Sequence, residues 1–339
     1  MNEPTPSNKR TARALRFLTL VAILVAVFLT ASLWWTRVRV PGDIDQQQID
    51  QAIAEITVRR AQLLGSGSIE QLSVAVESAW KALEDPQGKH YYYDSEKRAH
   101  QIPLPPPEFR KKHLAVAKLL NDQPTVLAGH ARAVTVPDAD SGPRSAESGV
   151  AERVLRLAGC YRQIAGVACQ KQQYPIAVDY AECGLQLLTA IAPVTNLTML
   201  PELQREAERL TEFGKSAAQG FGDWSDIDRM AEKVSAFEAT HATFRDTLDV
   251  EILGWAGQLD STSGSWLQRA SARRAAYEQL DKLLQAQTIA ASQASEKDRY
   301  DRVTTIDADL GKRLTYYLEC QRRIGDARKT LETARDTSQ

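Results

Sequence analysis

The sequence predicts an all-α chain. An N-terminal transmembrane helix precedes an elongated helical body, built of helical hairpins and a C-terminal antiparallel three-helix, coiled-coil-like bundle. Three observations predict this. Residues 17–35, FLTLVAILVAVFLTASLWW, run without one charge. Downstream, apolar residues recur at steps of three and four, the period of one helix face, rather than alternating as on a strand. The segments that interrupt this period are rich in Pro, Gly, Ser and Asp, which end helices.

The span comes first. Residues 1–16 form a short tail and residues 17–36 the anchor, which supplies the roughly 20 apolar residues needed to cross a hydrocarbon core of ~30 Å. Thr30-Ala31-Ser32 offers the small residues of a cleavage site. The apolar stretch is nevertheless longer than the roughly 7–15 residue core of a signal peptide. Trp34 and Trp35 stand at the far end, where indole rings favour the membrane interface, and Arg16 and Arg37 bracket the span. Lys9, Arg10, Arg13 and Arg16 precede it against Arg37 and Arg39 after it, so the positive-inside rule puts the tail in the cytoplasm and the body outside.

Residues 43–133 read as a helical region. Ile49, Ile53, Ile56 and Leu63 form one stripe; Leu72, Val76, Trp80 and Leu83 form a second, opened by Ser68 with Gln71 as its capping-box partner. Between helices lies a Tyr/Pro-rich loop, 86–107, with Tyr91–Tyr93 and Pro105–Pro107. Its prolines favour extended polyproline backbone. Residues 134–149, containing VPDADSGPRSAESG, are the predicted linker.

Residues 150–220 carry a helical hairpin: Val150, Val154, Leu157, Tyr161, Ile164 and Ala168 on one arm, Ile176, Tyr180, Cys183, Leu187 and Ile191 on the other. The spacing Ala165, Tyr174, Ala177, Ala181, Gly184 resembles a tetratricopeptide-type hairpin, in which small residues let helices approach closely. One such unit is present, without a roughly 34-residue period, and an ordinary hairpin accounts for the same spacing. A helix opened by Pro201 follows.

The bundle is predicted over 225–335. Ile227, Met230, Val234, Phe237, His241, Phe244, Leu248, Ile252, Trp255 and Leu259 form a heptad seam with one four-residue stutter. Trp266 to Leu284 mark a second helix. A third, capped by Ser295 with Asp298, runs from Tyr300 to Leu331. Such seams serve chain association as readily as intrachain packing.

Charge narrows the function. The first forty residues hold six basic residues and one acidic; the rest hold 36 basic and 42 acidic, a net −6. That body does not suit a nucleic-acid binder, which needs a basic surface to displace counterions. With 43% apolar residues the chain is not a disordered one.

No catalytic, cofactor-binding or metal motif is present: the sequence lacks a P-loop, a G-x-G-x-x-G turn, a G-x-S-x-G elbow and any metal-type Cys/His spacing. His90, His100 and His113 are expected at the surface and His241 in the bundle core. The pairs Asp226/Asp228 and Asp307/Asp309 fit helix-start charges. Cys160 and Cys183 lie at matching distances on either side of a turn near 171–172, which suggests a disulfide if the body is exported; four buried thiols are the competing reading. Cys169 and Cys320 remain as a second pair.

These features imply a single-pass membrane-anchored scaffold or interaction protein of a bacterial envelope, without catalytic activity and needing no cofactor. Its partners are the bilayer, through residues 17–36, and other proteins, including a second copy through the heptad seams. The alternative is a membrane-anchored enzyme or ligand sensor with a site near Tyr91–Tyr93 and His100.

Overall fold

The computed structural model describes residues 18–32, 44–63, 146–192, 195–240, 243–259 and 265–336, with positions 77, 81, 104, 105, 107, 110–113 and 115. The described residues are mostly helical and none lies in a strand. Arg16, Trp34, Trp35, Arg37, Tyr91–Tyr93, His90, His100, His130 and His241 lie outside them, as does the Ser68/Gln71 cap.

Residues 18–32 form a helix. Among the described residues, no helix is long and apolar enough to cross a membrane. The body then comprises α1 (Gln46–Leu63), α2 (Ala146–Gln170), α3 (Tyr174–Ile191), α4 (Leu200–Phe221), α5 (Trp224–Thr240), α6 (Phe244–Leu259), α7 (Trp266–Ala290), α8 (Glu296–Ile306) and α9 (Ala308–Asp336). Residues 146–149, read from sequence as linker, are the first turn of α2.

Local chemistry fixes the turns. Between α2 and α3, Gln173 N donates to Ala168 O at 2.8 Å and Gln172 N to Cys169 O at 3.0 Å, with Gln172 at φ 56°. This is a Schellman ending with glutamine in the left-handed position usually held by glycine. Asn196 Oδ1 accepts from Thr198 N and Met199 N ahead of α4, whose first turn contains Pro201. Gly222, at φ 72°, ends that helix. Ser265 and Gln268 close a reciprocal capping box at α7, and Ser295 Oγ accepts from Asp298 N at α8 as its sequence predicts.

Two hydrophobic cores result. The first joins α2, α3, α4 and α5, each packed on the next and on the next but one, and is completed by Ile324 and Leu331 of α9. At Gly184 a Cβ would lie 2.6 Å from a Leu210 methyl, so the small residue there lets the Leu210 side chain of α4 pack onto α3. The second core joins α1, α6, α7, α8 and the start of α9, through Ile49, Ile56, Leu248, Ile252, Leu280, Val303, Leu310 and Leu314 among others. Helix α9 therefore belongs to both, and α4 touches the second core through Leu200 at its start.

The long heptad seam is divided. Ile227, Met230, Val234 and Phe237 enter the first core, whereas Phe244, Leu248 and Ile252 enter the second. Thr243 and Asp246 start a fresh helix by reciprocal capping, Thr243 N to Asp246 Oδ2 at 2.9 Å and Asp246 N to Thr243 Oγ1 at 3.1 Å. The helix expected from Ser295 onward is likewise two: Asp307 leaves helical geometry and its Oδ1 accepts from Asp309 N and Leu310 N to open α9. In place of a separate three-helix bundle over 225–335, the first core runs across residues 220–225 and gathers helices from both halves of the body. The seam residues named above are buried within this one chain, so they are not open to a partner.

Candidate functional site

Three polar constellations interrupt the helical packing. The first lies between α2 and α4, which meet directly. Helical spacing sets Arg156, Gly159 and Gln163 on one face of α2, and Glu202, Arg205 and Arg209 on one face of α4. With Cys160, Arg162 and Glu206 they line a cleft of about 500 Å³. Glu206 is 4% exposed and lies between two cations, Arg162 Nε at 2.5 Å from Oε2 and Arg205 Nε at 3.9 Å from Oε1. Gly159 lies beside it: a Cβ there would sit in ordinary contact, 3.7 Å from the same carboxylate. Arg156 and Arg209 have no ion-pair partner among the described residues, and Gln163 Oε1 is buried there without a hydrogen-bond donor. Four guanidiniums thus face two carboxylates, an excess of two positive charges in an acidic body.

The second is an ion network on the opposite helices. Arg229 of α5 reaches Glu182 at 2.6 Å and Asp179 at 3.0 Å on α3, and Asp226 at 3.2 Å. These acids hold the guanidinium above its ordinary pKa against the opposing effect of burial. Lys233 lies 3.9 Å from Glu182 as well, so two cations meet three carboxylates, and the network fastens α3 to α5.

The third is closed to solvent. His113 is 1% exposed, with Nδ1 2.6 Å from the Tyr180 hydroxyl; the Tyr161 hydroxyl donates to the His113 carbonyl at 3.4 Å. The three rings pack with centroids 5.3–5.6 Å apart. Burial, with a smaller contribution from Lys112, lowers the imidazole pKa to about 4, so it is neutral at physiological pH. The surface position expected for His113 is corrected: the segment around it lies against α2 and α3, whose tyrosines supply an apolar wall and a polar tip. Among the described residues no group of His, Cys, Asp and Glu is placed to hold a metal ion.

All four cysteines are free thiols. Cys160 and Cys183 are buried in the same core, but their neighbours differ. Cys160 adjoins Glu206 and Arg162 toward α4, while Cys183 adjoins Arg229 and Lys233 on α5. Burial raises the Cys160 thiol to about 12 and that of Cys183 further. The bridge expected from hairpin register is not formed in this structure.

The sequence places no site at the cleft, because its residues converge only when α2 meets α4; the available signal was the recurrence of Arg, Gly and Gln at helical spacing beside an apolar stripe. Compared with protein-family models, curated proteins and solved structures, the chain matches none.

Proposed function

We propose that the protein is a single-pass, membrane-anchored helical scaffold that works by binding other proteins, in the cytoplasmic membrane of a bacterial envelope, with its N-terminus inside and its body outside. The observation that carries this reading is the exposure of residues 18–32 on every side. Leu18 is 65% exposed, Leu24 65% and Phe28 73%, and Val21, Ile23, Val25, Val27 and Leu29 are open as well. A helix apolar all round, with its large side chains exposed among the described residues, suits lipid rather than water. The uncharged sequence over 17–36 has the length a bilayer needs.

The body supports the binding half of the proposal. Its helices stack side by side into two cores, and its outward faces carry charge, including a cleft with uncommitted arginines. Alkaline carbonate extraction of cell membranes tests the anchor: the protein should stay in the pellet, and release into the supernatant would end that part of the proposal. Crosslinking in intact membranes followed by mass spectrometry tests the binding role. Crosslinked peptides from partner proteins are expected, and a body that crosslinks only to itself would argue against a scaffold.

A further inference from the structure

We propose that the cleft between α2 and α4 is a binding site for an extended acidic segment of a partner protein. This deepens the scaffold reading above and rests on it.

The chemistry of the walls selects the ligand. Arginine presents a rigid fork of donors that matches a carboxylate bidentately. Arg162 is committed to Glu206, and Arg205 is drawn to the same carboxylate at a longer distance. Arg156 and Arg209, on opposite walls, have no such commitment among the described residues and are exposed. Two carboxylates spaced along a chain would complete them. Buried Glu206 serves as the internal counter-charge that keeps the cations from repelling one another while the cleft is empty.

The acceptors distinguish a peptide from other polyanions. Gln163 Oε1 is buried at the cleft without a donor, and leaving it unmatched costs free energy. That oxygen has no exposed surface, so a donor meets it only when the Gln163 side chain turns into the cleft; a peptide backbone brings N–H groups that would satisfy it there, whereas a phosphodiester brings only acceptors. Glu202 and Glu206 in the lining would also repel a continuous row of phosphates. At about 500 Å³ the cleft suits a few residues of an extended chain.

The test uses the full chain in uncharged detergent micelles and a fluorescein-labelled hexapeptide, Asp-Glu-Leu-Glu-Asp-Leu, read by fluorescence anisotropy. Saturable binding is expected. The double substitution Arg156→Glu with Arg209→Glu should weaken it by about tenfold or more, since two charge-assisted contacts become repulsive. Arg302→Glu, on the exposed face of α8, should leave it unchanged. Gln163→Leu alters no charge, yet should weaken binding severalfold by removing the acceptor. The same peptide with Asn and Gln in place of its acids should not compete, nor should inorganic phosphate at equal concentration.

Absence of saturable binding overturns the proposal, as does an equal loss from Arg302→Glu. Full competition by phosphate, or indifference to Gln163→Leu, would mark generic anion attraction and would also overturn it. If the peptide fails to bind while membrane crosslinking still recovers partner proteins, the cleft assignment falls and the scaffold stands. Peptide binding without any recovered partner would count against the scaffold instead.

Discussion

Arg59 of α1 grips the carboxylate of Asp249 on α6, with Nη2 2.7 Å from Oδ2 and Nε 3.1 Å from the same oxygen, and Asp249 is wholly buried. Gln287 of α7 donates to Oδ1 of that carboxylate. A single buried acid therefore ties three helices of the second core. Burial raises its pKa, while the bond from Arg59 opposes the rise. Arg59→Ala should cost about 3 kcal/mol at pH 7, because it strands a buried charge. The sign of its pH dependence follows: without Arg59 the folded pKa climbs further above the unfolded value, so the native state binds the extra proton. The deficit should shrink as pH falls toward the ordinary aspartate range. Urea denaturation of both proteins at several pH values reads this, and a deficit that grows with acid would rule the pair out as its cause.

His113 gives the wild-type chain the opposite slope. Its pKa falls from 6.5 to about 4 on folding, so between those values the unfolded chain holds a proton that the native state refuses. Stability should therefore be complete above pH 6.5 and decline as pH drops through that window, by on the order of 3 kcal/mol for this one group. His113→Gln should flatten the decline in the same window. An unaltered slope in the variant would assign acid sensitivity elsewhere.

The residues that form each helix face were legible in the sequence; which core each face would join was not. Every described member of the seam from Ile227 to Ile252 is buried as the heptad spacing predicts. What the spacing hid was the change of partner between Phe237 and Phe244. It turns on a Thr243–Asp246 cap, a four-residue signal embedded in a periodic background that continues on both sides. Asp307 divides the next helix in the same way. The cleft was illegible for another reason. Arg156 and Arg209 lie 53 positions apart in sequence, and periodicity within one helix says nothing of which helix will lie beside it.

The turn after α2 holds a removable strain. Gln172 is exposed at φ 56°, a conformation costing a side chain roughly 1–2 kcal/mol that glycine avoids. Glycine also loses more entropy on folding, which offsets part of the gain. Gln172→Gly should raise stability by about 0.5–1 kcal/mol, seen as a higher denaturation midpoint with unchanged slope. A destabilised variant would mean that the glutamine side chain makes a compensating contact.

Thiol chemistry should separate the cysteines. Cys169 is half-buried, with Sγ 3.5 Å from the Phe213 carbonyl, whereas Cys160, Cys183 and Cys320 are buried. Burial raises all four thiols, and alkylation requires the thiolate. Iodoacetamide at pH 8 should modify Cys169 first and reach the other three only after denaturation. Peptide mapping without reductant checks the outcome, and a Cys160–Cys183 peptide pair there would show that the chain rearranges to close the bridge.

The position of α9 makes the strongest demand on the fold. Leu310 and Leu314 at its start belong to the second core, and Ile324 and Leu331 near its end belong to the first. Arg328 Nε meets Glu238 of α5 at 2.6 Å, and Arg323 Nη1 meets Glu208 of α4 at 2.8 Å, so its last turns are fastened to the stack by charge as well. Leu331→Ala removes a fully buried side chain and should cost about 2–5 kcal/mol. If the cores are coupled chiefly through this helix, with Leu200 of α4 a lesser link, the loss should be local. Amide exchange should quicken first in α4, α5 and the end of α9, while α7 and α8 keep their protection. Leu314→Ala should give the reverse pattern, loosening α7 and α8 before α4. Uniform quickening in both variants would instead describe one cooperative unit, and would place the coupling in the α4–α5–α6 connections rather than in α9.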